Sequence, residues 1–498
     1  MKYIPDSSQM KEADQFTIQT LGIASLELME NAALSCVEFM QEKKLDLSNV
    51  CVICGSGNNG GDGFAIARIL AKKKYKVTVV MAGQLSRATE ETVYQIDLLS
   101  KAGISYIEQF EPDDYSIIID AIFGVGLSRN VEGHFYKLIE KMNQSTATKI
   151  AVDIPSGINA DNGSILGIAF RADYTVTFQT YKTGLLFYPG KEYAGEIIVK
   201  NIGISESYFK NNETVSVIFE KNDYKKFLPK RVEDSHKGTY GKLLIIAGSK
   251  GMSGAAYLNA YAAYRSGAGL VQIYTPEDNR IILQQLLPEA IITTYDCYDE
   301  NQVKQLINWS DTICIGSGIG VSKVSQNILK TVILESKVPC VIDADGLNIL
   351  ADHIWYLEKR KHNAYILTPH MKEMAGLIKS DVQSIKTNRK SIIESFIKLY
   401  KITCVLKDSI TVIKSNNERM VINKTGNQAM AKAGSGDVLA GIIAGMLVQV
   451  KSCFESAVLG TYIHGCCGDK ARSEMGSYSV LARDLIENIP IVLKREEE

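Results

Sequence analysis

The interpretation of this chain starts from the stretch Cys51-Val-Ile-Cys-Gly-Ser-Gly-Asn-Asn-Gly-Gly-Asp-Gly63. An apolar strand over residues 50–54 runs into a loop with five glycines and two asparagines, and we predict that a helix follows over residues 64–72. Such a loop lets main-chain N–H groups converge on an anion at the positive end of a helix. Glycines are needed because a Cβ would block both the tight turn and the close approach. The stretch therefore predicts a site for a nucleotide or a nucleotide-like ligand.

The same loop fits the dinucleotide-binding pattern only in part. The spacing from Gly55 to Gly60 satisfies G-x-G-x-x-G, but that fingerprint also needs an acidic residue at the end of the next strand. The next strand, residues 76–81, ends without one. The loop instead carries polar side chains, namely Asn58, Asn59 and Asp62. An ordinary NAD-dehydrogenase site and a purely structural turn stay open as alternatives.

Length and charge limit the class of protein. A chain of 498 residues is too long for one ordinary core, so two or three domains are expected. The 55 basic and 56 acidic residues give a net charge of −1, which favours neither nucleic acid nor an anionic membrane as the main partner. The first residues, MKYIPDSSQM, lack the layout of a signal peptide, and no apolar run reaches the length of a bilayer span. A cytoplasmic location is the expectation.

The ten cysteines do not form the pattern of a disulfide framework in so large a chain. Cys51 and Cys54 make a C-x-x-C pair, which is compatible with redox or zinc chemistry. They lie in an apolar strand, however, and no second pair stands at zinc spacing. We therefore interpret them as buried strand thiols.

Two stretches of the chain alternate apolar strands with amphipathic helices, the pattern of parallel α/β sheets. We predict one domain over residues 1–215 and a second over residues 222–498. The polar segment 205–214 between them has the composition of a linker. A long helical region is expected from about Gly436 to the end of the chain.

Three predicted strand ends of the first domain carry polar residues followed by glycines: the asparagine–glycine loop, Asp120 and Asp153. Ligands of open parallel sheets bind beyond the carboxyl ends of the strands, so these three clusters can meet at one crevice. An aspartate at a strand end is also a common helix cap or turn former.

Several motifs of the first domain together resemble the NAD(P)H-hydrate epimerase family, also called the YjeF N-terminal domain. They are Leu28-Met-Glu-Asn-Ala32, Gly57-Asn-Asn-Gly-Gly-Asp-Gly63, Asp120-Ala-Ile-Phe-Gly124, Asp153-Ile-Pro-Ser-Gly157 and Gly195-Glu-Ile-Ile-Val199. The resemblance implies a Rossmann-like three-layer sandwich. It implies contacts to the hydrated nicotinamide nucleotide from Asn58, Asn59, Gly60, Gly61, Asp62, Gly124, Val125, Gly126, Leu127, Ser128, Arg129, Asn130 and Asp153. It also implies a potassium ion held by Asn59, Asp120 and Ser156, whose hard oxygen ligands suit such a cation.

An epimerase of this family inverts C6 of the damaged ring between its R and S forms. The inversion needs a planar or ring-opened intermediate and a proton transfer by a placed group. Asp153 is the preferred acid/base, and Asp120 is expected to act electrostatically.

The second domain contains Ala433-Gly-Ser-Gly-Asp437 at the start of a helix rich in glycine and alanine. Its glycine N–H groups can form an anion hole, with an aspartate over it; an ordinary helix cap is the alternative. Asp343-Ala-Asp-Gly-Leu-Asn348 places two carboxylates at another strand end, and Thr368-Pro-His-Met-Lys-Glu373 follows the next strand. Carboxylates near a phosphate loop fit phosphoryl transfer assisted by Mg²⁺.

Over about residues 225–490 these motifs resemble the ribokinase-like NAD(P)H-hydrate dehydratase, the YjeF C-terminal domain. The resemblance implies contacts to the hydrate from Ala255, Gly318, His370 and Asp437. It places the adenine nucleotide against Lys407, Asp408, Ser409, Ile410, Thr411 and Gly436. Met371-Lys372 stands where the family has Pro-Gly, so local backbone differences are expected. The family pattern favours ADP over ATP as co-substrate, with release of AMP and phosphate.

In the resulting hypothesis Asp437 takes the proton of the C6 hydroxyl while the glycine loop stabilises the transferring phosphoryl group. A kinase for a small alcohol is the nearest alternative, since a fold does not settle the substrate. A scaffold that dimerises and binds RNA is the alternative from another class, and the balanced charge argues against it. We expect NAD(P)HX and an adenine nucleotide as ligands, and a homo-oligomer.

Overall fold

The computed structural model describes residues 1–111 and 114–497. The chain divides between Ser216 and Val217 into two compact units, each built on its own mostly parallel sheet. This confirms the predicted two-domain α/β fold class. Within the described residues, none of the helices combines the length and the apolar character that crossing a bilayer requires.

The first unit alternates strands and helices. Its strands are β1 (Lys2–Ile4), β2 (Val50–Cys54), β3 (Val77–Met81), β4 (Ile117–Ala121), β5 (Thr148–Val152), β6 (Tyr174–Phe178) and β7 (Glu196–Lys200). Its helices are α1 (Ser7–Leu21), α2 (Ser25–Glu42), α3 (Asn58–Lys72), α4 (Glu90–Lys101), α5 (Gly133–Gln144), α6 (Gly190–Tyr193) and α7 (Glu206–Asn211), with 3₁₀ turns at Leu85–Arg87 and Thr183–Leu185.

Six parallel strands of the first unit form a sheet in the order β3-β2-β4-β5-β6-β7. The chain leaves β2 toward β3 on one side and returns to β4 on the other, so the strand order reverses between β2 and β4. A crevice opens at such a reversal, outside the carboxyl ends of the two strands. The asparagine–glycine loop follows β2 and Asp120 ends β4, and both therefore lie at this crevice.

Helices cover both faces of this sheet, which makes the predicted three-layer sandwich. Alternate residues of β2 enter opposite cores: Val52 and Cys54 pack with α2 and α3, whereas Cys51 and Ile53 pack with α5. The period of two places the thiols of Cys51 and Cys54 on opposite faces of the sheet. Both cysteines are free and buried, as the sequence predicted.

The second unit is larger. Its strands are β8 (Ser216–Ile218), β9 (Lys242–Ile246), β10 (Leu270–Pro276), β11 (Ile291–Tyr295), β12 (Thr312–Ile315), β13 (Cys340–Ile342), β14 (Tyr365–Leu367), β15 (Thr403–Leu406), β16 (Thr411–Lys414) and β17 (Val421–Asn423). Its helices are α8 (Lys221–Tyr224), α9 (Ser253–Arg265), α10 (Arg280–Leu286), α11 (Glu300–Trp309), α12 (Lys323–Glu335), α13 (Ala344–Asp352), α14 (Met371–Ile378), α15 (Val382–Thr387), α16 (Arg389–Tyr400), α17 (Ser435–Val450), α18 (Cys453–Ser479) and α19 (Ala482–Glu497), with 3₁₀ turns at Lys237–Tyr240, Glu277–Asn279, Ile354–Glu358 and Gln428–Met430.

Within this unit the strand order is β8-β17-β16-β15-β14-β13-β12-β9-β10-β11. The strands pair in parallel except that β16 runs antiparallel to both neighbours. The order reverses at β9, which lies between β12 and β10, so a second crevice opens beyond β9 and β12. Helix α17 is apolar on nearly all sides and buried from Val438 to Val448. A helix of this kind belongs to the core, and its exposed start is then fixed at the crevice.

Two sequence predictions were wrong in their boundaries. The helix after the glycine loop begins at Asn58 instead of residue 64, because the glycines adopt helical geometry where close packing leaves no room for a Cβ. The segment 205–214 is not an open linker, since it contains α7, whose Phe209 is buried and joins the core of the first unit.

Candidate functional site

The first candidate site begins at the start of α3. A Cβ on Gly55 would lie 2.0 Å from the carbonyl oxygen of Ile122, and a Cβ on Gly60 would lie 1.9 Å from that of Gly55. Only glycine allows these two contacts. The contact between Gly55 and Ile122 packs the loop against the residue that follows β4. The first bond of the helix runs from Gly61 N–H to Gly57 O, at 3.2 Å. The N–H groups before it have no partner within the helix and are available to an anion.

Asp120 and Ser156 form a buried corner beside this loop. The Asp120 carboxylate accepts hydrogen bonds from Ser156 N (2.7 Å), Ser156 Oγ (2.6 Å) and Ile122 N (3.2 Å). Burial raises the pKa of Asp120 to about 6, and the hydrogen bonds from Ser156 and Ile122 oppose the rise. A nearby cation would favour the ionised form.

Asn59 completes the corner. Its side chain is buried next to Gly124, and its amide nitrogen has no hydrogen-bond partner among the described residues. A half-turn about the last side-chain torsion exchanges the amide nitrogen for the amide oxygen, so this group can present an oxygen to a cation. An amide, a carboxylate and a hydroxyl oxygen make a donor set that suits a monovalent cation. The described residues contain no group of three or more His, Cys, Asp or Glu arranged to hold a metal ion.

Asp153 lies just beyond β5 in a left-handed backbone conformation, with φ of +66°. Its Oδ1 accepts bonds from Lys182 Nζ (2.5 Å), Thr177 Oγ1 (3.1 Å) and Phe178 N (3.2 Å). Lys182 is only 2% exposed, and its ammonium also donates to Thr177 Oγ1 and to Phe178 O. From the sequence, Lys182 in Tyr181-Lys-Thr-Gly184 could line the first site or belong to a structural turn.

Two more carboxyls belong to this cluster. Asp62, on α3, is half-buried, and burial together with the charges of Asp153 and Asp14 raises its pKa well above the usual range. The pKa of Asp14 is also raised, by burial and then by the charges of Asp153 and Glu91. Sequence reasoning missed Asp14, because a single aspartate on the amphipathic helix α1 carries no signal of its own.

The segment 124–130 lies beyond the carboxyl end of β4. Gly124 touches Asn59, with a Cβ built on it 3.3 Å from the Asn59 Cβ. From Gly126 to Asn130 the chain is mostly exposed. The structure thus joins Asp120 to Ser156 by hydrogen bonds, places Asn59 against Gly124, and leaves the side chains of Ser128, Arg129 and Asn130 exposed.

The second candidate site begins at α17. Gly434 takes a left-handed conformation (φ 89°) as the N-cap, and Asp437 stands in the first turn of the helix. Burial, followed by the charge of Asp343, raises the pKa of Asp437 to about 6, while Ser317 and Lys407 oppose the rise. Such a carboxyl ionises near neutral pH, where it can take up and release a proton during a reaction.

Lys407 brings a positive charge to the same place. Its Nζ donates to Asp343 Oδ1 at 2.7 Å and lies 4.0 Å from Glu373 Oε2. A Cβ on Gly436 would lie 3.6 Å from this Nζ, so the ammonium stands at the start of α17. Thr368 Oγ1 donates to Asp343 Oδ1 at 2.6 Å and holds the buried carboxylate in place.

The other predicted residues of this site fall into two groups. Ala255 and Gly318 touch, since a Cβ on Gly318 would lie 2.8 Å from that of Ala255. His370 caps α14 through Nδ1, which accepts from Glu373 N at 3.0 Å, and its Nε2 is 3.4 Å from Glu373 Oε1. His370 and Glu373 thus form a capping box at the start of α14, with Met371 and Lys372 between them.

The predicted nucleotide segment 407–411 joins β15 to β16. Asp408 pairs with buried Arg389 at 2.8 Å, Ser409 is exposed, and Thr411 begins β16. Ile410 is buried in the core, so only its main chain is available to a ligand. A residue that sequence reasoning missed, His464, supports the start of α17: its Nε2 is 3.0 Å from Ser435 O, and burial lowers its pKa to about 4.

Comparison with known proteins assigns families to both units. Residues 243–491 match the model of the NAD(P)H-hydrate dehydratase family, and residues 25–184 match that of the YjeF-related protein N-terminus. The bifunctional NAD(P)H-hydrate repair enzyme of Coxiella burnetii is 34% identical over 99% of this chain and 100% of its own length. The enzyme of the same name from Escherichia coli is 31% identical over 98% of this chain and 94% of its own.

Solved structures resemble the second unit. The ADP/ATP-dependent NAD(P)H-hydrate dehydratase of Bacillus subtilis, co-crystallised with ATP and Mg²⁺, is 29% identical, with a TM-score of 0.50 over 56% of this chain and 99% of its own. A ribokinase-like superfamily protein of Enterococcus faecalis is 26% identical, with a TM-score of 0.51 over 56% of this chain and 95% of its own. The ribokinase-like expectation for this unit is confirmed.

Proposed function

Because the chain belongs to the family of bifunctional NAD(P)H-hydrate repair enzymes, we propose that its two candidate sites divide the repair between them. The protein is an enzyme with an epimerase domain and a dehydratase domain, which together return NAD(P)HX to NAD(P)H. The observation that carries the proposal is the full-length match to the repair enzymes, together with a glycine-led helix start at the crevice of each sheet.

In the epimerase, the start of α3 would receive a phosphate of the substrate, and residues 124–130 would close over the nucleotide from the rim. Asn59, Asp120 and Ser156 would hold a potassium ion, which supplies a fixed positive charge when bound. The orphaned amide of Asn59 and the raised pKa of Asp120 support this assignment, because both favour an added cation. Asp153, whose Oδ1 accepts a hydrogen bond from Lys182 Nζ, would move a proton at C6 of the substrate.

In the dehydratase, Ala255, Gly318, His370 and Asp437 would contact the hydrate. Asp437 would take the proton of the C6 hydroxyl as that oxygen attacks the terminal phosphorus of the nucleotide. The bond from that phosphorus to its bridging oxygen then breaks, and the shortened nucleotide leaves with the electron pair. The N–H groups at the start of α17 and the ammonium of Lys407 stabilise the negative charge of the moving phosphoryl group. Phosphate departs from C6, the C5 proton is lost, and the C5=C6 bond of the reduced nicotinamide is restored.

The nucleotide would lie along Lys407–Thr411 and Gly436, with ADP as the favoured co-substrate. Mg²⁺ bound to its phosphates would neutralise charge during transfer. The carboxylates fit this use of the ion: Asp343 is already occupied by Lys407 and Thr368, whereas Asp437 and Asp345 stand nearby. Mg²⁺ held mainly by phosphates needs only one or two protein carboxylates.

A cytoplasmic location, a homo-oligomer and the lack of a nucleic-acid partner stay predictions that need experiments of their own.

The test supplies purified R and S hydrates separately, each with ADP or with ATP, and follows each epimer and the reduced nicotinamide. Recovery from the S form with ADP, and from the R form after its conversion, is expected. Replacing potassium with lithium should slow only the R-dependent recovery. A protein that phosphorylates a small alcohol and leaves both hydrates unchanged would contradict the proposal.

A further inference from the structure

A buried asparagine of the second unit links helix α9 to the glycine turn that follows β12. Asn259 lies on α9 and is only 1% exposed. Its Nδ2 donates to Ser317 Oγ at 3.0 Å and lies 3.5 Å from Cys314 Sγ. Within the part of the chain that the structure describes, its Oδ1 has no hydrogen-bond partner. A buried acceptor without a donor costs stability, and a leucine of similar size would avoid that cost. The amide is therefore expected to do more than pack.

The hydrogen bond from Asn259 determines what the hydroxyl of Ser317 can do. Ser317 stands between two glycines of the turn, and its side chain is buried. A hydroxyl has one proton to donate, whereas an amide nitrogen can only donate. Because Asn259 Nδ2 donates to Ser317 Oγ, the hydroxyl proton is left for another acceptor. The acceptors beside it are carboxyl oxygens, since Ser317 Oγ lies 3.5 Å from Asp343 Oδ2 and also hydrogen-bonds to Asp437.

The start of α17 packs against the same asparagine. A Cβ on Gly441 would lie 2.2 Å from the main-chain oxygen of Asn259, so α9 and α17 are in direct contact at this point. Gly441 comes four residues after Asp437, and residues four apart share one face of a helix. The face of α17 that carries Asp437 is therefore the face that packs on α9 near Asn259. Three elements, α9, the end of β12 and α17, thus bring Asn259, Ser317 and Asp437 together.

The second carboxylate, Asp343, is held from its other side. Its Oδ1 accepts hydrogen bonds from Thr368 Oγ1 at 2.6 Å and from Lys407 Nζ at 2.7 Å, so Oδ2 is the oxygen that faces Ser317. The Ser317 hydroxyl therefore lies beside two carboxyls that repel each other when both are ionised. A donor at this place offsets the repulsion and fixes the orientation of the Asp437 carboxyl.

We propose that Asn259 is a positioning residue of the dehydratase, which directs the Ser317 hydroxyl toward Asp437 and thereby aligns this base for the proton of the C6 hydroxyl. The inference rests on the proposed dehydratase function and extends that site to a buried residue of α9. Neither Asn259 nor Ser317 gains or loses a proton in this role. The effect of Asn259 is expected in the chemical step, because a misaligned base loses rate without loss of substrate affinity.

The experiment uses the full chain with the S hydrate and ADP, and it measures kcat and both KM values. Asn259→Leu removes the donor and keeps a side chain of similar size. It should lower kcat about 10-fold and leave both KM values within about threefold, whereas a loosened turn at Gly318 would raise KM for the hydrate. Ser317→Ala should lower kcat by at least as much. The double variant should be no slower than Ser317→Ala, because Asn259 acts only through that hydroxyl.

Asn488→Leu is the matched control. Asn488 is also a buried asparagine, its Nδ2 donates to Asp484 O of its own helix α19 at 2.9 Å, and its Oδ1 likewise has no hydrogen-bond partner among residues 1–111 and 114–497. This variant should leave kcat unchanged. Thermal unfolding reports whether each variant is folded. Asn259→Ala, which adds no bulk, takes the place of Asn259→Leu if the leucine variant does not fold.

Three results would overturn the inference. One is a wild-type kcat in a folded Asn259 variant, and another is an equal loss in Asn488→Leu. The third is a double variant whose loss is the product of the losses in Asn259→Leu and Ser317→Ala, because the two residues would then act independently. Failure of the wild-type chain to dehydrate the S hydrate with ADP or ATP would instead contradict the proposed function, and the inference with it.

Discussion

Both units bury a lysine against an aspartate near a strand end, but the two ammonium groups have different amounts of bonding capacity left. An ammonium has three donors. In the first unit Lys182 uses all three on Asp153, Thr177 Oγ1 and Phe178 O. In the second unit Lys407 has one short bond, to Asp343, and lies at the start of α17.

The two lysine–aspartate ion pairs therefore have different functions. Lys182 pairs with Asp153 and has no donor left for a ligand. Lys407 is held in position by Asp343 and keeps donors for the phosphates that arrive at the helix start. The epimerase thus uses its lysine on its own carboxylate, whereas the dehydratase uses its lysine on the substrate. Substitutions that affect one use and leave the other intact test this distinction.

The largest expected effect follows from removing the dehydratase base. Asp437→Ala should lower nucleotide-dependent recovery from the S hydrate by about 10³-fold or more, because base catalysis at the anion hole is lost. Epimerisation in the same chain should be unchanged, which makes it the internal control. Absorbance of the reduced nicotinamide measures the first activity, and separation of the epimers measures the second. Retained dehydration would reject the role of Asp437 and with it the assignment of the second site.

Exchanging each lysine for methionine compares the two ion pairs directly. Lys182→Met leaves the buried Asp153 carboxylate without its ion-pair partner and should destabilise the first unit by about 3–5 kcal/mol. Lys407→Met also leaves a buried carboxylate, that of Asp343, without its lysine and should destabilise the second unit. It should in addition remove the stabilisation that bound ADP gives this unit, because ligand binding adds to stability only where affinity persists. Thermal unfolding with and without ADP measures both.

The comparison fails if the two variants behave alike. Should Lys182→Met lose the ADP-dependent shift in unfolding temperature, or Lys407→Met keep it in full, the two lysines would not have the separate uses inferred here. The wild-type chain with ADP is the reference for both variants.

Two glycine-to-alanine substitutions test the packing at the start of α3, and they are expected to change stability by smaller amounts. Gly60→Ala should destabilise the first unit by about 1–3 kcal/mol, because the new Cβ meets a main-chain oxygen that cannot move away. Gly126→Ala is the matched control, since a Cβ there has no atom within 4 Å and should change stability by less than about 0.5 kcal/mol. Denaturant unfolding compares the two. Equal stability in both variants would mean that Gly60 is not packed against the main chain of Gly55 as described.

The sequence predicted the sheets and the two crevices because buried parallel strands and glycine loops leave local patterns. Runs such as Val50–Cys54 and residues 313–315 are apolar throughout, and each is followed by glycines. The start of α3 was predicted wrongly because the local pattern there indicates a different structure from the one that packing produces. Glycine has low helix propensity, so Gly60, Gly61 and Gly63 indicate a loop until tertiary packing forces them into a helix.

Partners that lie far apart in the sequence could not be predicted. Nothing local pairs Lys182 with Asp153 or His464 with Ser435, because each contact depends on how separate elements fold together. For the same reason, the sequence did not predict that Asp14 belongs to the cluster of the first site. By contrast, Asp120, Asp153 and Asp437 were found because aspartates at the ends of strands or at the starts of helices have a positional meaning even without a structure.

The smallest expected effect concerns the pH dependence of dehydration. Asp437 has a pKa of about 6, and Asp345 is one of the carboxylates whose charge raises it. As a base Asp437 acts in its ionised form, so dehydration should rise with pH through about 6. Asp345→Asn removes a negative charge, lowers the pKa of Asp437 and should move this limb to lower pH by on the order of 0.3 unit. The rate with the S hydrate and ADP, measured from pH 5 to 8, gives the limb. A limb that stays in place or moves to higher pH would contradict the role of Asp437 as the base whose ionisation sets this limb.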